Sequence, residues 1–187
     1  RSLALQVAED PHEYYIIELS SFQLDNMYDF HANIAILLNI TPDHLDRYDF
    51  KMQNYVDAKM RILQNQTADD TFVYWKEDEH VPNELPKYSD PSAKCGFTDE
   101  AQPGSAGYAA NGTFVVNAPV HFEMPLSQLS LPGRHNLRNA LADQQDVRMM
   151  QHRIDSSRPM IGLLVKLIGD LTYTLVDPRI DFASREQ

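Results

Sequence analysis

Two short apolar runs, each followed at once by polar side chains, constrain the fold of this sequence more than any other feature. The runs are residues 14–19 and residues 34–40, and their length and β-branched, aromatic composition predict buried strands. Runs that are apolar on both faces are typical of a parallel sheet covered by helices. We therefore expect an α/β fold in which these two strands are neighbours in one sheet.

Further elements follow along the chain. Apolar residues at helical spacing predict a helix at residues 51–63, and a third strand is expected at residues 71–75. A β-rich stretch at about residues 93–124 contains Asn111-Gly112, which favours a hairpin because both residues tolerate positive φ. The expected architecture is a mostly parallel sheet flanked by helices, with this stretch as a small β-rich insertion.

Size and charge narrow the class of protein. The chain has 187 residues, enough for a domain with a hydrophobic core. Its net charge of −11 argues against nonspecific nucleic-acid binding, because such binding depends on neutralising phosphates.

The single cysteine, Cys95, cannot form a disulfide within the chain, which fits a reducing, cytoplasmic compartment. The apolar run at residues 160–171 is too short to span a bilayer, which needs about 20 residues.

The polar residues after the two runs include candidate metal ligands. Glu18 comes near the end of the first run, and His44 follows the second, between Asp43 and Asp46. Ligands of open α/β sheets bind beyond the carboxyl ends of the strands, and a carboxylate with an imidazole suits Mg2+ or another divalent ion near phosphates. The alternative is that Glu18 is a polar strand end and that His44 is a loop residue held by Asp46.

Two further pairs of polar residues are candidates for ligand contacts. Ser20 and Gln23 offer hydrogen bonds to a substrate carbonyl or phosphate, although a turn or helix cap is the commoner role of such a serine. Asn136 and Asn139 are three residues apart, and they therefore share one face of the helix expected from about Leu137. The alternative for Asn136 is a cap at the start of that helix.

Lys59 borders the apolar face of the helix predicted at residues 51–63, one turn from Tyr55. A solvated surface lysine is the ordinary interpretation, because lysine is almost never fully buried. The other interpretation starts from the fact that burial favours the neutral form of an amine. A neutral amine reacts with CO2 to give a carbamate, whose anionic oxygens are ligands for Mg2+. Both interpretations are compatible with the spacing.

Four motifs together resemble the Mur ligases of peptidoglycan synthesis, and in particular the member that adds D-glutamate. They are Glu18-Leu-Ser-Ser-Phe-Gln-Leu24, Asn39-Ile-Thr-Pro-Asp-His-Leu-Asp-Arg-Tyr48, Tyr55-Val-Asp-Ala-Lys-Met-Arg-Ile62 and Gly133-Arg-His-Asn-Leu-Arg-Asn-Ala-Leu141. The resemblance covers residues 1–142, as a partial central domain of the ATPase type. Residues 143–187 are an unmatched tail, expected to be fused or disordered.

The resemblance implies an ATP-dependent, ADP-forming amide ligase that adds D-glutamate to UDP-N-acetylmuramoyl-L-alanine. It implies that Glu18, His44 and a carbamylated Lys59 are catalytic residues and hold Mg2+, with two ions in the site. The expected partners are these substrates and ATP, with no nucleic acid or membrane, and the expected state is a monomer.

The same resemblance implies roles for the two polar pairs. Ser20 and Gln23 are expected to contact UDP-N-acetylmuramoyl-L-alanine. Asn136 and Asn139 are expected to contact the adenine nucleotide.

A glycine-rich phosphate loop of the pattern G-x-x-G-K-[ST]-[ST], typical of the family, does not occur in this sequence, which begins at Arg1. We therefore expect an incomplete piece of such an enzyme that is inactive by itself. The alternative is a non-catalytic fragment or chimera that keeps the fold, since residues 167–182 loosely resemble a cytoplasmic segment of peptide-type ABC transporter permeases. A metal hydrolase built on Glu18, His44 and Asp46 is disfavoured, because the sequence has no H-x-H or H-E-x-x-H pair.

Overall fold

A computed structural model of the chain describes residues 3–9, 14–117, 121–128, 138 and 162–167. The strands are β1 (Tyr14–Glu18), β2 (Ile34–Leu37), β3 (Thr71–Trp75), β4 (Ala93–Phe97), β5 (Gly107–Ala110), β6 (Thr113–Val116), β7 (Phe122–Pro125) and β8 (Gly162–Leu167). The α-helices are α1 (Leu3–Glu9), α2 (Ser21–Leu24), α3 (Met52–Met60) and α4 (Val81–Glu84). Short 3-10 turns lie at Leu45–Tyr48, Arg61–Leu63, Leu85–Lys87 and Leu126–Gln128. In these described ranges, no helix has the length and apolar character needed to cross a membrane.

The strands form one eight-stranded sheet in the order β1-β8-β2-β3-β4-β5-β6-β7. Neighbours from β1 to β5 are parallel, and the last two pairings, β5 with β6 and β6 with β7, are antiparallel. The predicted mostly parallel α/β fold is confirmed. The β-rich stretch continues this same sheet, because β4 is a parallel neighbour of β3 and the following strands extend its edge.

The turn between β5 and β6 has the conformation predicted from its sequence. Asn111 has φ 50° and Gly112 has φ 74°. Asparagine and glycine adopt this left-handed conformation at low cost, and the turn therefore joins the two strands directly.

The first two strands of the chain are not neighbours, so the expectation that they pair is wrong. β8 lies between them and is parallel to both: Leu164 is aligned with Ile16 of β1 on one side and with Ile34 of β2 on the other. The strand comes from the tail predicted at residues 143–187. Sequence proximity could not reveal it, because an intervening parallel strand can come from a distant part of the chain.

The rest of that tail, including the transporter-like residues 168–182, lies outside the described residues. The division of the chain at residue 142 therefore stays a prediction.

The sheet is buried on both faces around β2, as its uniformly apolar sequence predicts. Ala35 and Leu37 belong to a core cluster on one face, together with residues of α2 and α3. Ile34 and Ile36 belong to a second cluster on the other face. All four residues of β2 are buried, so this strand is the centre of the core, and α2 and α3 are fixed against the face that contains Leu37.

A buried carboxylate joins the segments that enter β2 and β3. Asp70, only 1% exposed, lies 2.6 Å from Nε2 of His31 and accepts hydrogen bonds from Nδ2 of Asn33 at 3.1 Å and from the backbone and hydroxyl of Thr67 at 2.7 and 2.8 Å. Burial alone would raise the pKa of Asp70, but the hydrogen bonds from His31 and Thr67 outweigh it and lower the pKa below its ordinary value.

We predict that Asp70→Asn makes the chain less stable at pH 7 by about 2 kcal/mol, because the network loses its negative charge and one of its two acceptor oxygens becomes an NH2 donor. A carboxylate with a lowered folded-state pKa stabilises the fold above its unfolded pKa, and this stabilisation is lost as the pH falls through the folded value. Urea unfolding measured from pH 7 to pH 2 should therefore give a difference between the two proteins that shrinks below about pH 4.

The matched control is Asp69→Asn, which changes the exposed neighbouring carboxylate. A constant difference between Asp70→Asn and the unaltered chain across this pH range would contradict the role given to Asp70.

Candidate functional site

The carboxyl ends of β1 and β2 open on the same edge of the sheet, because both strands are parallel to β8. Glu18 is the last residue of β1 and is exposed. His44 lies in the loop after β2, directly before the 3-10 turn at Leu45–Tyr48. Both predicted ligands therefore follow strands that end at the edge where ligands of such sheets bind.

The loop that carries His44 has an unusual local conformation. His44 has φ 47°, in the left-handed region, and its backbone N–H donates to Oδ1 of Asp43 at 2.7 Å. Its Nε2 lies 3.7 Å from the same oxygen, and its side chain is 51% exposed. The described partner of His44 is therefore Asp43 and not Asp46, which the alternative interpretation had proposed. A half-exposed imidazole remains accessible to a ligand.

A row of aromatic rings leads from His44 to Lys59. The ring centroid of Phe22 lies 5.5 Å from that of His44 and 5.9 Å from that of Tyr48. The ring centroid of Tyr48 lies 5.4 Å from that of Tyr55. Nζ of Lys59 lies 4.9 Å from the ring centroid of Tyr55. This aromatic row joins α2, the loop after β2, and α3, so that three of the four sequence motifs meet on one side of the sheet.

Lys59 is buried, with 2% of its surface exposed. The interpretation of Lys59 as a solvated surface lysine is wrong, because α3 turns this part of its surface towards the core. Its neighbours Ala58 and Met60 are buried as well. Taking an ammonium group out of water costs free energy unless a partner or a chemical change offsets it. The ring of Tyr55 is one such partner, and the burial of Lys59 is a feature that helical spacing alone left open.

Ser20 and Gln23 contact each other as a capping box at the start of α2. The backbone N–H of Ser20 donates to Oε1 of Gln23 at 2.8 Å, and the backbone N–H of Gln23 donates to Oγ of Ser20 at 3.4 Å. The helix-cap interpretation of Ser20 is therefore confirmed. Their contact with a substrate stays a prediction, and it would use the exposed amide of Gln23.

An open cavity of about 550 Å³ lies beside the aromatic row and includes Tyr48 in its lining. Its charged lining residues are Asp25, Arg47, Asp57 and Arg61. Opposite charges are therefore mixed along this wall. The predicted ligand-binding residues that the structure describes do not line this cavity; they are Glu18, Ser20, Gln23, His44 and Lys59.

The described parts of the chain contain no group of three or more His, Cys, Asp or Glu side chains arranged to hold a metal ion. A site built from these residue types alone is therefore not preformed there. Glu18 and His44 would need a third donor of another kind.

Asn136 and Asn139 lie outside the described residues, whereas Arg138 is described and helical. Its Nε donates to Oδ1 of Asp99 at 2.8 Å and its Nη2 to Oδ2 at 2.6 Å. Its guanidinium carbon lies 3.6 Å from the ring centroid of Trp75. Sequence reasoning missed this contact. The available signal was the single tryptophan of the chain, placed at the end of a predicted strand.

Sequence reasoning also missed Asp78, a buried residue after β3. Its Oδ2 accepts a hydrogen bond from the backbone of Ile40 at 2.9 Å, and its Oδ1 accepts from the backbones of His80 and Val81, each at 2.9 Å. Asp78 therefore fixes the loop that leads to His44 against the start of α4.

Comparison with known proteins gives a match over the same region. The profile of the Mur ligase middle domain matches residues 1–143. The chain is 54% identical to a UDP-N-acetylmuramoylalanine--D-glutamate ligase of Bacteroides thetaiotaomicron over 142 residues, which are 76% of this chain and 32% of the relative. The protein of that name from Porphyromonas gingivalis is 46% identical over 160 residues, 84% of this chain and 36% of the relative.

A third relative of the same name, from Cytophaga hutchinsonii, is 40% identical over 196 residues, which cover 94% of this chain and 43% of the relative. The chain thus spans about a third of the length of the first relatives it matches.

We predict that Phe22→Leu shifts the imidazole proton resonances of His44, because the ring current of Phe22 is removed from a ring 5.5 Å away. The loss of aromatic contacts should also reduce the free energy of unfolding by about 1 kcal/mol. Proton NMR measures the first effect, with His44→Gln to assign the resonance.

Phe50→Leu is the control, because Phe50 is 78% exposed. This substitution should leave the His44 resonance in place. An unchanged His44 resonance in Phe22→Leu would show that the aromatic row does not contact His44.

Proposed function

The chain belongs to the Mur ligase family, with residues 1–143 matching its middle domain, and from this premise we propose that it contributes to an ATP-dependent, ADP-forming amide ligase. The proposed reaction adds D-glutamate to UDP-N-acetylmuramoyl-L-alanine in peptidoglycan synthesis. The proposal is supported by the names of relatives that are 54% identical over 142 residues. It concerns the reaction to which this domain would contribute, because the chain spans about a third of those relatives.

The proposed chemistry has two steps. A carboxylate oxygen of UDP-N-acetylmuramoyl-L-alanine attacks the γ-phosphorus of ATP, so that ADP leaves and an acyl phosphate forms. The amine of D-glutamate then attacks the acyl carbon, phosphate leaves, and the amine nitrogen loses a proton. Both steps gather negative charge at one place, and charge neutralisation there is the main demand on the site.

The single observation that carries the proposal is the burial of Lys59, at 2% exposure, beside the aromatic row that leads to His44. A carbamate on Lys59 would supply an anionic oxygen, which is the third donor that Glu18 and His44 need for a complete site. We assign Mg2+ to these three side chains, since carboxylate and carbamate oxygens are donors that this ion prefers, with His44 as the one nitrogen donor. Bound Mg2+ would neutralise phosphate charge during the transfer.

The surroundings of Lys59 suggest that its modification depends on the metal. An ammonium 4.9 Å from the centroid of the Tyr55 ring is attracted to the ring face. A carbamate reverses the charge and loses this attraction, so that a cation on its other side must offset the loss. We therefore expect carbamylation of Lys59 and binding of Mg2+ to favour each other.

We assign contacts with the adenine nucleotide to Asn136 and Asn139. This assignment is supported by the match of residues 1–143 to the family profile. Ser20 and Gln23 are assigned to UDP-N-acetylmuramoyl-L-alanine, with the capping box holding both at the start of α2.

We predict that the chain in 13C-labelled bicarbonate gives a carbamate carbonyl resonance that grows when Mg2+ is added. Lys59→Arg should abolish it, because arginine keeps the charge and does not form the carbamate. The control is Lys51→Arg, which changes an exposed lysine just before α3 and should keep the resonance. A resonance of equal size in Lys59→Arg would overturn the assignment to Lys59.

We predict that binding of ATP to the chain depends on Mg2+ and weakens by at least about tenfold in Glu18→Gln and in His44→Gln, because each loses a metal donor. Isothermal titration with ATP, with and without a chelator, measures this effect. Asp69→Asn, at an exposed carboxylate on the opposite edge of the sheet, should bind like the unaltered chain.

Binding of ATP that is unaffected by the chelator would contradict the metal site. A complete lack of ATP binding would favour the alternative, a non-catalytic domain that keeps the fold.

A further inference from the structure

The end of α3 is joined to the end of α2 by side-chain hydrogen bonds to backbone carbonyl groups. Arg61 directly follows α3. Its Nε donates to the carbonyl oxygen of Leu24, the last residue of α2, at 2.9 Å, and its Nη2 donates to that of Met27 at 3.4 Å. Its guanidinium carbon also lies 5.3 Å from the ring centroid of Tyr28. One side chain therefore contacts α2 and the segment that follows it.

Residues 64–66 contribute three further side-chain donors, which continue these contacts towards β2. Their acceptors are carbonyl groups in residues 25–33, a stretch that contains no helix or strand. Carbonyl groups that lose water without gaining a donor cost free energy. The side chains after α3 thus supply donors to a stretch that has no regular hydrogen bonding of its own. The pairs are Gln64 with Met27, Asn65 with Tyr28 and Phe30, and Gln66 with Ala32.

α2 needs such contacts, because it is a single turn of four residues and helices this short are unstable alone. The capping box of Ser20 and Gln23 satisfies its first turn. The carbonyl groups at its other end need donors from elsewhere, and Arg61 donates to that of Leu24. The position of α2 relative to α3 therefore depends on Arg61.

Phe22 transmits the position of α2 to the loop after β2. Its ring centroid lies 5.5 Å from that of His44 and 5.9 Å from that of Tyr48. The hydroxyl of Tyr48 donates to Oδ2 of Asp25, at the end of α2, at 3.2 Å. Because the aromatic row ends at Lys59 on α3, a displacement of α2 would move the imidazole relative to the buried amine.

We propose that Arg61 is a positioning residue, which fixes α2 against the end of α3 so that Phe22 holds the imidazole of His44 in place relative to Lys59. The inference rests on the proposed function for its consequence, since His44 and Lys59 are assigned there to Mg2+. Arginine suits this role because its planar guanidinium directs several N–H donors in fixed directions and can bridge two carbonyl groups.

The test follows the imidazole proton resonances of His44 in the full chain by NMR at one pH. Arg61→Met keeps a long side chain and removes every donor. It should shift these resonances, because the ring current of Phe22 depends on the distance between the two rings. Arg61→Lys keeps the charge but lacks the planar arrangement of donors, and it should give a smaller shift in the same direction.

Two controls separate positioning from a general loss of stability. Asn65→Gly tolerates the positive φ of 62° at this position and removes the hydrogen bonds to Tyr28 and Phe30, which lie further from α2 along the chain. Gln53→Leu removes a hydrogen bond of 2.8 Å between Nε2 of Gln53 and Oδ1 of Asp57, both exposed on α3. Neither control should shift the imidazole resonances. Urea unfolding establishes that each variant is folded at the temperature of the measurement.

A second measurement connects Arg61 with the metal site. Mg2+ is titrated into the chain in 13C-labelled bicarbonate, and the carbamate resonance is followed. Arg61→Met should raise the Mg2+ concentration that gives half of the full resonance by about tenfold, as expected when a residue that orients a metal ligand is lost. Asn65→Gly should leave this concentration unchanged. An equal Mg2+ requirement in folded Arg61→Met and in the unaltered chain would overturn the connection.

The His44 resonances decide the role of Arg61. Shifted resonances in the folded Arg61 variants, with both controls unshifted, support it. Unchanged resonances in both variants, or an equal shift in Asn65→Gly, overturn it. If Arg61→Met does not fold, Arg61→Lys decides by the same criterion. If the unaltered chain gives no carbamate resonance, the metal site of the proposed function falls, whereas the His44 resonances still decide whether Arg61 positions the imidazole.

Discussion

The burial of one amine, that of Lys59, is the constraint on which the rest of this site depends. An amine that is 2% exposed must be stabilised by its surroundings or changed chemically, because water cannot solvate it. The aromatic row supplies part of the surroundings and also fixes His44 relative to α3. A carbamate would turn the same buried position into a metal donor. The packing of α2 against α3 therefore affects the chemistry of Lys59, because it buries the amine that would become a metal donor.

Three carboxylates, none of them an assigned metal ligand, hold the framework around this site. Asp70 joins the segments that enter β2 and β3. Asp78 and Asp99 act at the opposite edge, where one fixes the loop after β2 and the other receives Arg138. Each accepts more than one hydrogen bond, which offsets the loss of hydration on burial. The carboxyl edge of the sheet is consequently held by polar contacts as well as by the core.

Local patterns predicted most of the fold, and long-range contacts account for what they missed. β3 and the hairpin at Asn111 lie where alternation, composition and turn chemistry placed them, because those signals act between close neighbours. β8 was missed because pairing with β1 depends on a segment more than a hundred residues away. Burial of Lys59 could not be decided from helical spacing, since a residue at the border of an apolar face is buried only if another helix packs there. Arg138 and Asp99 are 39 residues apart in the sequence, and no local pattern indicates such a pair.

The central claim is that an acid, an imidazole and a modified amine from three segments meet at one dication. A crystal structure of the chain grown with Mg2+ and bicarbonate tests it most directly. The account predicts a carbamate on Lys59, with Mg2+ bound by His44 and by oxygens of the carbamate and of Glu18, these oxygens lying about 2.0–2.1 Å from the ion. An unmodified Lys59, with the tips of Glu18 and His44 directed to different sides of the molecule, would contradict it.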